Sequence, residues 1–160
     1  MTLFDTDLTL LDGSITTLGA YQGNVLLIVN VASRCGLAPQ YEQLEELQKK
    51  YGERGFTVLG FPSNQFLQEL KTSDDIAEYC SMTWGVTFPM FEKVKVNGKQ
   101  QHPLYAELVK HKDASGKAGK VKWNFEKFLV LPNGEIHRFR PTVKPDSPEI
   151  VNLIESHLPR

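Results

Sequence analysis

Val25-Leu26-Leu27-Ile28-Val29-Asn30-Val31-Ala32 runs directly into Ser33-Arg34-Cys35-Gly36, and that junction decides how the rest of the chain is read. A nearly continuous apolar run ending in small and polar residues suits a central strand covered on both faces. Beyond the turn, Tyr41, Leu44, Leu47 and Tyr51 recur on one helical face and Pro39 fits a first helical turn, predicting a helix from about Pro39 to Tyr51. Gly52 and Gly55 close it, and Phe56 to Phe61 reads as a second buried strand before Pro62. Strand, helix, strand in this order makes the two strands parallel neighbours. In open sheets of this kind, sites gather at the C-terminal ends of the parallel strands. Cys35 falls there.

On the N-terminal side, Leu8 to Leu11 and Ser14 to Leu18 flank Asp12-Gly13, a two-residue hairpin signal. On the C-terminal side, Thr72 with Asp75 three positions on resembles a capping box and opens a helix from Asp74 to about Met82. His102-Pro103-Leu104-Tyr105 opens a short helix, and Phe125 to Leu131 and Glu135 to Phe139 flank Pro132-Asn133-Gly134 as a second hairpin. Ser147-Pro148-Glu149 starts the last helix, with a Ser cap and with Ile150, Val151, Leu153, Ile154 and Leu158 facing inward. The expected fold is α/β: a mixed central sheet flanked by helices on both faces, with an N-terminal β-hairpin. This is the layout of thioredoxin-like domains. A chain of 160 residues makes one such domain, 1–160.

Lys plus Arg is 18 against 19 for Asp plus Glu, a net charge of −1, which argues against a dedicated nucleic-acid binder. The longest apolar run, Val25 to Val29, falls far below the roughly 18 residues of a membrane span. Met1-Thr2-Leu3-Phe4-Asp5 has neither the positive n-region nor the long h-region of a secretory signal. A cytoplasmic protein is expected, in a reducing compartment where a persistent disulfide is unusual. A cysteine that matters there matters for its reactivity.

The chain has two cysteines. Cys35 lies between a buried strand and the start of a helix, where free N–H groups and the helix dipole stabilise an anion, and Arg34 adds a neighbouring positive charge. A buried structural cysteine is the alternative; the junction favours a reactive thiolate. Cys80, in Ala77-Glu78-Tyr79-Cys80-Ser81, reads on position alone as a core residue of the second helix. No Cys-x-x-Cys exists, which excludes a thioredoxin-type dithiol centre. His102, His111, His137 and His157 are scattered without metal-ligand spacing, and no Gly-rich phosphate loop is present, so neither metal nor cofactor is expected. Six lysines between Lys110 and Lys127 face only Asp113 and Glu126; they form a solvated loop or a cationic rim that attracts an anionic reductant.

The segment Asn30-Val31-Ala32-Ser33-Arg34-Cys35-Gly36-Leu37-Ala38-Pro39-Gln40-Tyr41 resembles the signature of the glutathione peroxidase family around its peroxide-reactive residue. Gly60-Phe61-Pro62-Ser63-Asn64-Gln65-Phe66 is similar to the family's second motif, and Trp123-Asn124-Phe125-Glu126-Lys127-Phe128-Leu129-Val130 to its third; Gly85-Val86-Thr87-Phe88-Pro89 also fits. The likeness runs from about Phe4 to the last helix. It implies a tetrad of Cys, Gln, Trp and Asn, carried here by Cys35, Gln68, Trp123 and Asn124. Where the family has Gly-x-Gln-Glu-Pro-Gly, this chain reads Phe66-Leu67-Gln68-Glu69-Leu70-Lys71, with a residue missing and the Pro-Gly gone. Gln68 is the best match, and Gln65 is the second candidate.

The resemblance implies a thiol peroxidase that reduces hydrogen peroxide and organic or lipid hydroperoxides. A thiolate displaces hydroxide or alkoxide from the O–O bond. Uncharged indole and amide N–H donors hold the sulfur as thiolate and stabilise the departing oxygen, with no histidine base needed. The sulfenic acid on Cys35 then condenses with a second thiol. Many cysteine members form an internal disulfide that thioredoxin reduces, and the resemblance puts Cys80 at the resolving position; glutathione is the alternative reductant. A disulfide needs Cα atoms within about 7 Å, so the second helix is expected to unwind in each cycle. The short Gly-rich segment between Lys112 and Lys120 resembles that of monomeric members. Two other functions compete: a redox relay passing oxidation from Cys35 to a partner protein, and an acyl-transfer enzyme built on Cys35, His137 and Asn124. The second needs His137 to reach the sulfur from the outer half of a hairpin.

Overall fold

The computed structural model describes residues 3–160, so Met1 and Thr2 of the N-terminal stretch lie outside the described residues. β3 (Val25–Val31) is buried along its whole length. It pairs in parallel with β4 (Phe56–Pro62), from Val25↔Phe56 to Val31↔Pro62, and antiparallel with β5 (Lys127–Val130), where Leu27 faces Leu129. β5 turns back into β6 (Ile136–Phe139), giving the sheet order β4-β3-β5-β6. β1 (Asp7–Thr9) and β2 (Ile15–Thr17) form a separate two-stranded sheet. The ladder ends at Thr9↔Ile15, short of the strands expected from the sequence; Leu10 N still donates to Ser14 O at 2.8 Å, while Leu10 also bridges Phe91. Asp12 then shapes a longer loop by accepting from Ser14 N (2.9 Å) and Ser14 Oγ (2.6 Å).

Alternate residues of β3 serve opposite faces. Val25, Leu27, Val29 and Val31 pack with Leu44 and Leu47 of α1 (Gln40–Tyr51) and with Ile150 and Ile154 of α4 (Pro148–His157). Leu26 and Ile28 pack with Leu104 and Leu108 of α3 (Pro103–Leu108) and with Leu8 and Leu18 around the hairpin. The mixed sheet with helices on both faces is therefore as read. α4 starts where expected, but Ser147 makes no side-chain cap bond and its Oγ is buried without a partner. Pro148, with its fixed φ, sets the start instead. Within the helix only Ile150 and Ile154 are fully buried; Val151, Leu153 and Leu158 pack at the margin.

α2 (Ser73–Tyr79) is capped by Thr72, whose Oγ1 accepts from Asp75 N at 3.1 Å. It does not continue as α-helix to Met82. From Cys80 to Trp84 the backbone widens into a π-turn that ends on Gly85 at φ +62. The cause is aromatic: Tyr79 and Trp84, five residues apart, both pack on the Tyr41 ring and are joined by Trp84 Nε1 donating to Tyr79 Oη at 3.0 Å. Residues five apart share a face only when the turn is wider than 3.6 residues.

Of the lysines between Lys110 and Lys127, all but the last are exposed, as in a solvated loop. Lys127 is buried on β5 and donates to Pro141 O (2.8 Å) and Val143 O (2.5 Å); burial pushes its ammonium down to about 7. Arg138, ion-paired with Glu126, donates to the carbonyls of Val109, His111, Gly119 and Lys120 and ties that loop to the sheet. Among the described residues no helix is long and apolar enough to cross a membrane.

Candidate active site

Cys35 lies in the turns between β3 and α1, and its residue is 5% exposed. Its carbonyl accepts from Ala38 N at 2.9 Å, and this fold-back aims Leu37 N at Sγ, 3.4 Å away. Arg34 is exposed and forms no ion pair among the described residues.

The loop after β4 pins this turn from the other side. Arg34 N donates to Gln68 O at 2.8 Å. Ser33 donates to Glu69 Oε1 through N (3.0 Å) and Oγ (2.5 Å), and Leu70 N donates to the same oxygen at 2.8 Å. Burial raises the Glu69 carboxyl, while the bonds from Ser33 and Leu70 oppose the rise. Sequence reasoning quoted Glu69 only as a neighbour of the matched glutamine. Its signal was weak: an acidic residue in a segment with no other reason to be buried.

Gln68 and Asn124 meet, Asn124 Nδ2 donating to Gln68 Oε1 at 3.2 Å. The Gln68 amide nitrogen makes no hydrogen bond among the described residues, so its two donors are uncommitted. Gln65 is committed elsewhere: Oε1 accepts from Val96 N (2.6 Å) and Asn97 N (2.9 Å), and Nε2 donates to Asn97 O (2.9 Å). Asn124 is fully buried, with Oδ1 unpartnered. Trp123 is 39% exposed, its ring 5.3 Å from that of Phe66.

Asn30, near the end of β3, positions this pair. It donates from Nδ2 to Trp123 O (3.1 Å), accepts at Oδ1 from Glu126 N (3.0 Å), and its carbonyl accepts from Phe125 N (2.6 Å). Phe125 adopts φ +66, rare for a bulky residue, so the chain bends sharply just after Trp123-Asn124. The strand that leads into Cys35 thus also fixes the Trp-Asn segment. Asn30 interrupts an otherwise apolar strand, a sign in the sequence that it is polar for a reason but not of which residues it holds.

Cys80 lies at the start of the π-turn, in the same core cluster as Cys35. It is 2% exposed, and both cysteines are free thiols. Burial pushes its thiol up to about 11, the nearby Glu69 carboxylate adds to the rise, and the Tyr41 hydroxyl opposes it. His137 pairs with Glu135 at 3.6 Å on β6, on the sheet's outer strand, and takes no part in the Cys35 environment.

A profile of the glutathione peroxidase family matches residues 3–109. The chain is 49% identical over 166 aligned positions to the thioredoxin/glutathione peroxidase BtuE of Escherichia coli, covering 91% of each protein. It is 47% identical over 164 positions to a hydroperoxy fatty acid reductase of Synechocystis, covering 98% of this chain and 96% of the relative. Among solved structures, the crystal structure of Trgpx in its apo form superposes with a TM-score of 0.75 at 36% identity, over 98% of this chain and 95% of that one.

Proposed function

This chain belongs to the glutathione peroxidase family and is a peroxidase, and from that premise we propose that Cys35 attacks the peroxide, Cys80 resolves the product, and thioredoxin returns both to thiols. The observation that carries the proposal is the Gln68–Asn124 hydrogen bond, with the Gln68 carbonyl on Arg34 N. It ties the loop after β4 and the Trp-Asn segment to the turn that carries Cys35, which supports the reading of these residues as one site.

In the first step the Cys35 thiolate attacks the terminal oxygen of R–O–OH, or one oxygen of hydrogen peroxide. The S–O bond forms as the O–O bond breaks, leaving Cys35 as sulfenic acid and RO⁻ or hydroxide as the leaving group, which takes up a proton from water. The free Gln68 N–H groups, Leu37 N–H and the Trp123 indole N–H are donors for the developing oxygen charge. No basic side chain is required.

In the second step Cys80 displaces water from the sulfenic acid. In the closed structure it is unsuited to this. A thiol raised to about 11 is about 10⁻⁴ ionised at neutral pH, and exposure to water restores about a hundredfold of that loss. Unwinding of α2 and the π-turn therefore serves two ends: it brings the sulfurs within bonding distance and it lets Cys80 ionise. Thioredoxin then reduces the Cys35–Cys80 disulfide by thiol exchange. A site of this kind works in a reducing cytosol.

The test is mass spectrometry under non-reducing conditions after one equivalent of hydrogen peroxide. The expected product is a single Cys35–Cys80 bond, which thioredoxin with its reductase and NADPH reverses. A glutathione adduct on Cys35, formed without the internal bond when glutathione is present, overturns the two-cysteine cycle.

A further inference from the structure

A cavity of about 450 Å³ borders the loop that carries Gln68 and is lined by Leu67, Val94, Lys93 and Lys95 with the polar side chains of Asn64 and Gln65. Leu67 is unusual twice over. It sits at φ +61, where a leucine is strained, and it is 85% exposed. A backbone that holds a large apolar side chain out into water next to a catalytic loop offers it to something. Its neighbour Phe66 lies against Trp123, so the apolar surface runs on from the cavity to the tetrad tryptophan.

The other end of the cavity is cationic. Lys93 Nζ donates to Leu70 O (3.1 Å) and Lys71 O (2.6 Å), and Lys95 Nζ to Gln100 Oε1 (2.7 Å). All three acceptors are neutral, and neither lysine forms an ion pair among the described residues. Gln65 fixes the separation of the two ends, because its carboxamide holds Val96 and Asn97 against the loop that bears Leu67. The cavity brings ammonium groups together with an exposed leucine, and Phe66, next to that leucine in the chain, lies against Trp123.

Resting on the peroxidase reading above, we infer that this cavity is a subsite for the carboxylate end of a monomeric hydroperoxy fatty acid. The carboxylate lies on Lys95 and Lys93, and the chain crosses Leu67 and Phe66 so that the hydroperoxide reaches Cys35. Hydrogen peroxide has no part that touches the subsite. A carboxylate gains from the unpaired ammoniums, and the chain gains from covering Leu67.

The test compares the hydroperoxide of linoleic acid with its methyl ester, both below their micellar concentrations and at low ionic strength, with hydrogen peroxide as reference. The wild type should show a lower KM for the acid than for the ester. Lys95→Glu should raise KM for the acid about three- to tenfold, leaving the ester and hydrogen peroxide unmoved. Leu67→Asn, which tolerates positive φ, should raise KM for acid and ester alike by a similar factor. Equal KM for acid and ester in the wild type, or an acid KM unchanged in Lys95→Glu, overturns the subsite while peroxide turnover stands. Effects confined to the acid presented in phosphatidylcholine vesicles also overturn it, in favour of docking to a lipid surface. Absence of hydrogen peroxide turnover in the wild type instead sinks the peroxidase reading.

Discussion

Cys35 and Cys80 are both more than nine-tenths buried, but they are held in opposite ways. The Cys35 turn is fixed by backbone groups on each side: Ala38 N on its own carbonyl, Arg34 N on Gln68, Ser33 on Glu69. The strand before it is covered on both faces. The Cys80 segment is anchored at its ends and loose between them. At one end Lys93 holds the carbonyls of Leu70 and Lys71; at the other, Thr87 donates from N (2.8 Å) and Oγ1 (2.6 Å) to the buried Glu45. Between them α2 buries only Ile76, and a cavity of about 270 Å³ opens beside Cys80 against Leu10, Phe88 and Met90. A short helix with one buried anchor belongs to the low-stability end of a fold. In the proposed cycle, attack on a peroxide needs donors already in place and resolution needs a sulfur that can travel; the two segments are built to suit these separate demands.

The harshest way to break the comparison is to remove each sulfur in turn. Cys35→Ser should abolish peroxide consumption. Cys80→Ser should consume one equivalent, then stop when thioredoxin is the only reductant. A ferrous-oxidation assay for residual peroxide, followed over time, separates the two outcomes. Sustained thioredoxin-driven turnover in Cys80→Ser would remove the travelling sulfur from the scheme.

Rigidity around Cys35 is probed next by its donors. Gln68→Leu keeps the backbone carbonyl on Arg34 but deletes the amide, and should slow the single-turnover reaction with hydrogen peroxide by about 10²-fold. Gln65→Leu should leave that rate within about twofold and lower thermal stability, since its three bonds hold Val96 and Asn97; removing them costs about 1 kcal/mol or more. The reverse ranking would hand the tetrad position to Gln65.

Much of this was legible in the chain. The apolar run into Cys35, the Thr72 cap and the Pro132–Gly134 turn are local signals, and the structure follows them. What was not legible came from contacts between distant residues. The π-turn at Cys80 arises because Tyr79 and Trp84 both reach Tyr41, and no local propensity encodes that pair. Asn30 and Glu69 look like a polar break in a strand and an ordinary acidic loop residue. Only the folded chain brings them to Trp123 and Ser33. The partners of Gln68 and Gln65 are likewise absent from the sequence: only in the folded chain does Gln68 meet Asn124 while Gln65 is held by Val96 and Asn97, which supports the proposed choice of Gln68.

Proton counting gives a test of how completely Cys80 is closed. Its thiol is raised from 9.0 to about 11 in the closed form, so the closed form binds the proton more tightly than the open one. Closure is favoured below the ordinary thiol value and is lost as pH climbs from there towards about 11. In a Cys35→Ser background, iodoacetamide alkylation of Cys80 should therefore keep rising about tenfold per pH unit through pH 9 and bend only near 11. A bend near 9 would mean that the segment already stands open.

The smallest expected effect tests the aromatic latch itself. Trp84→Phe keeps an aromatic ring over Tyr41 but deletes the indole N–H that donates to Tyr79 Oη. A half-buried hydrogen bond of this kind contributes about 0.5–1.5 kcal/mol, so the open population should rise by up to about tenfold. Cys80 alkylation at fixed pH should accelerate by that factor, and disulfide formation from the Cys35 sulfenic acid should accelerate with it. The rate of the first step, set by the pinned turn, should not move. If Trp84→Phe slowed peroxide attack as well, the two segments would be mechanically coupled and the division of labour between them would fail. If it changed neither rate, the latch would lie elsewhere, with the Glu45–Thr87 pair the next anchor to cut.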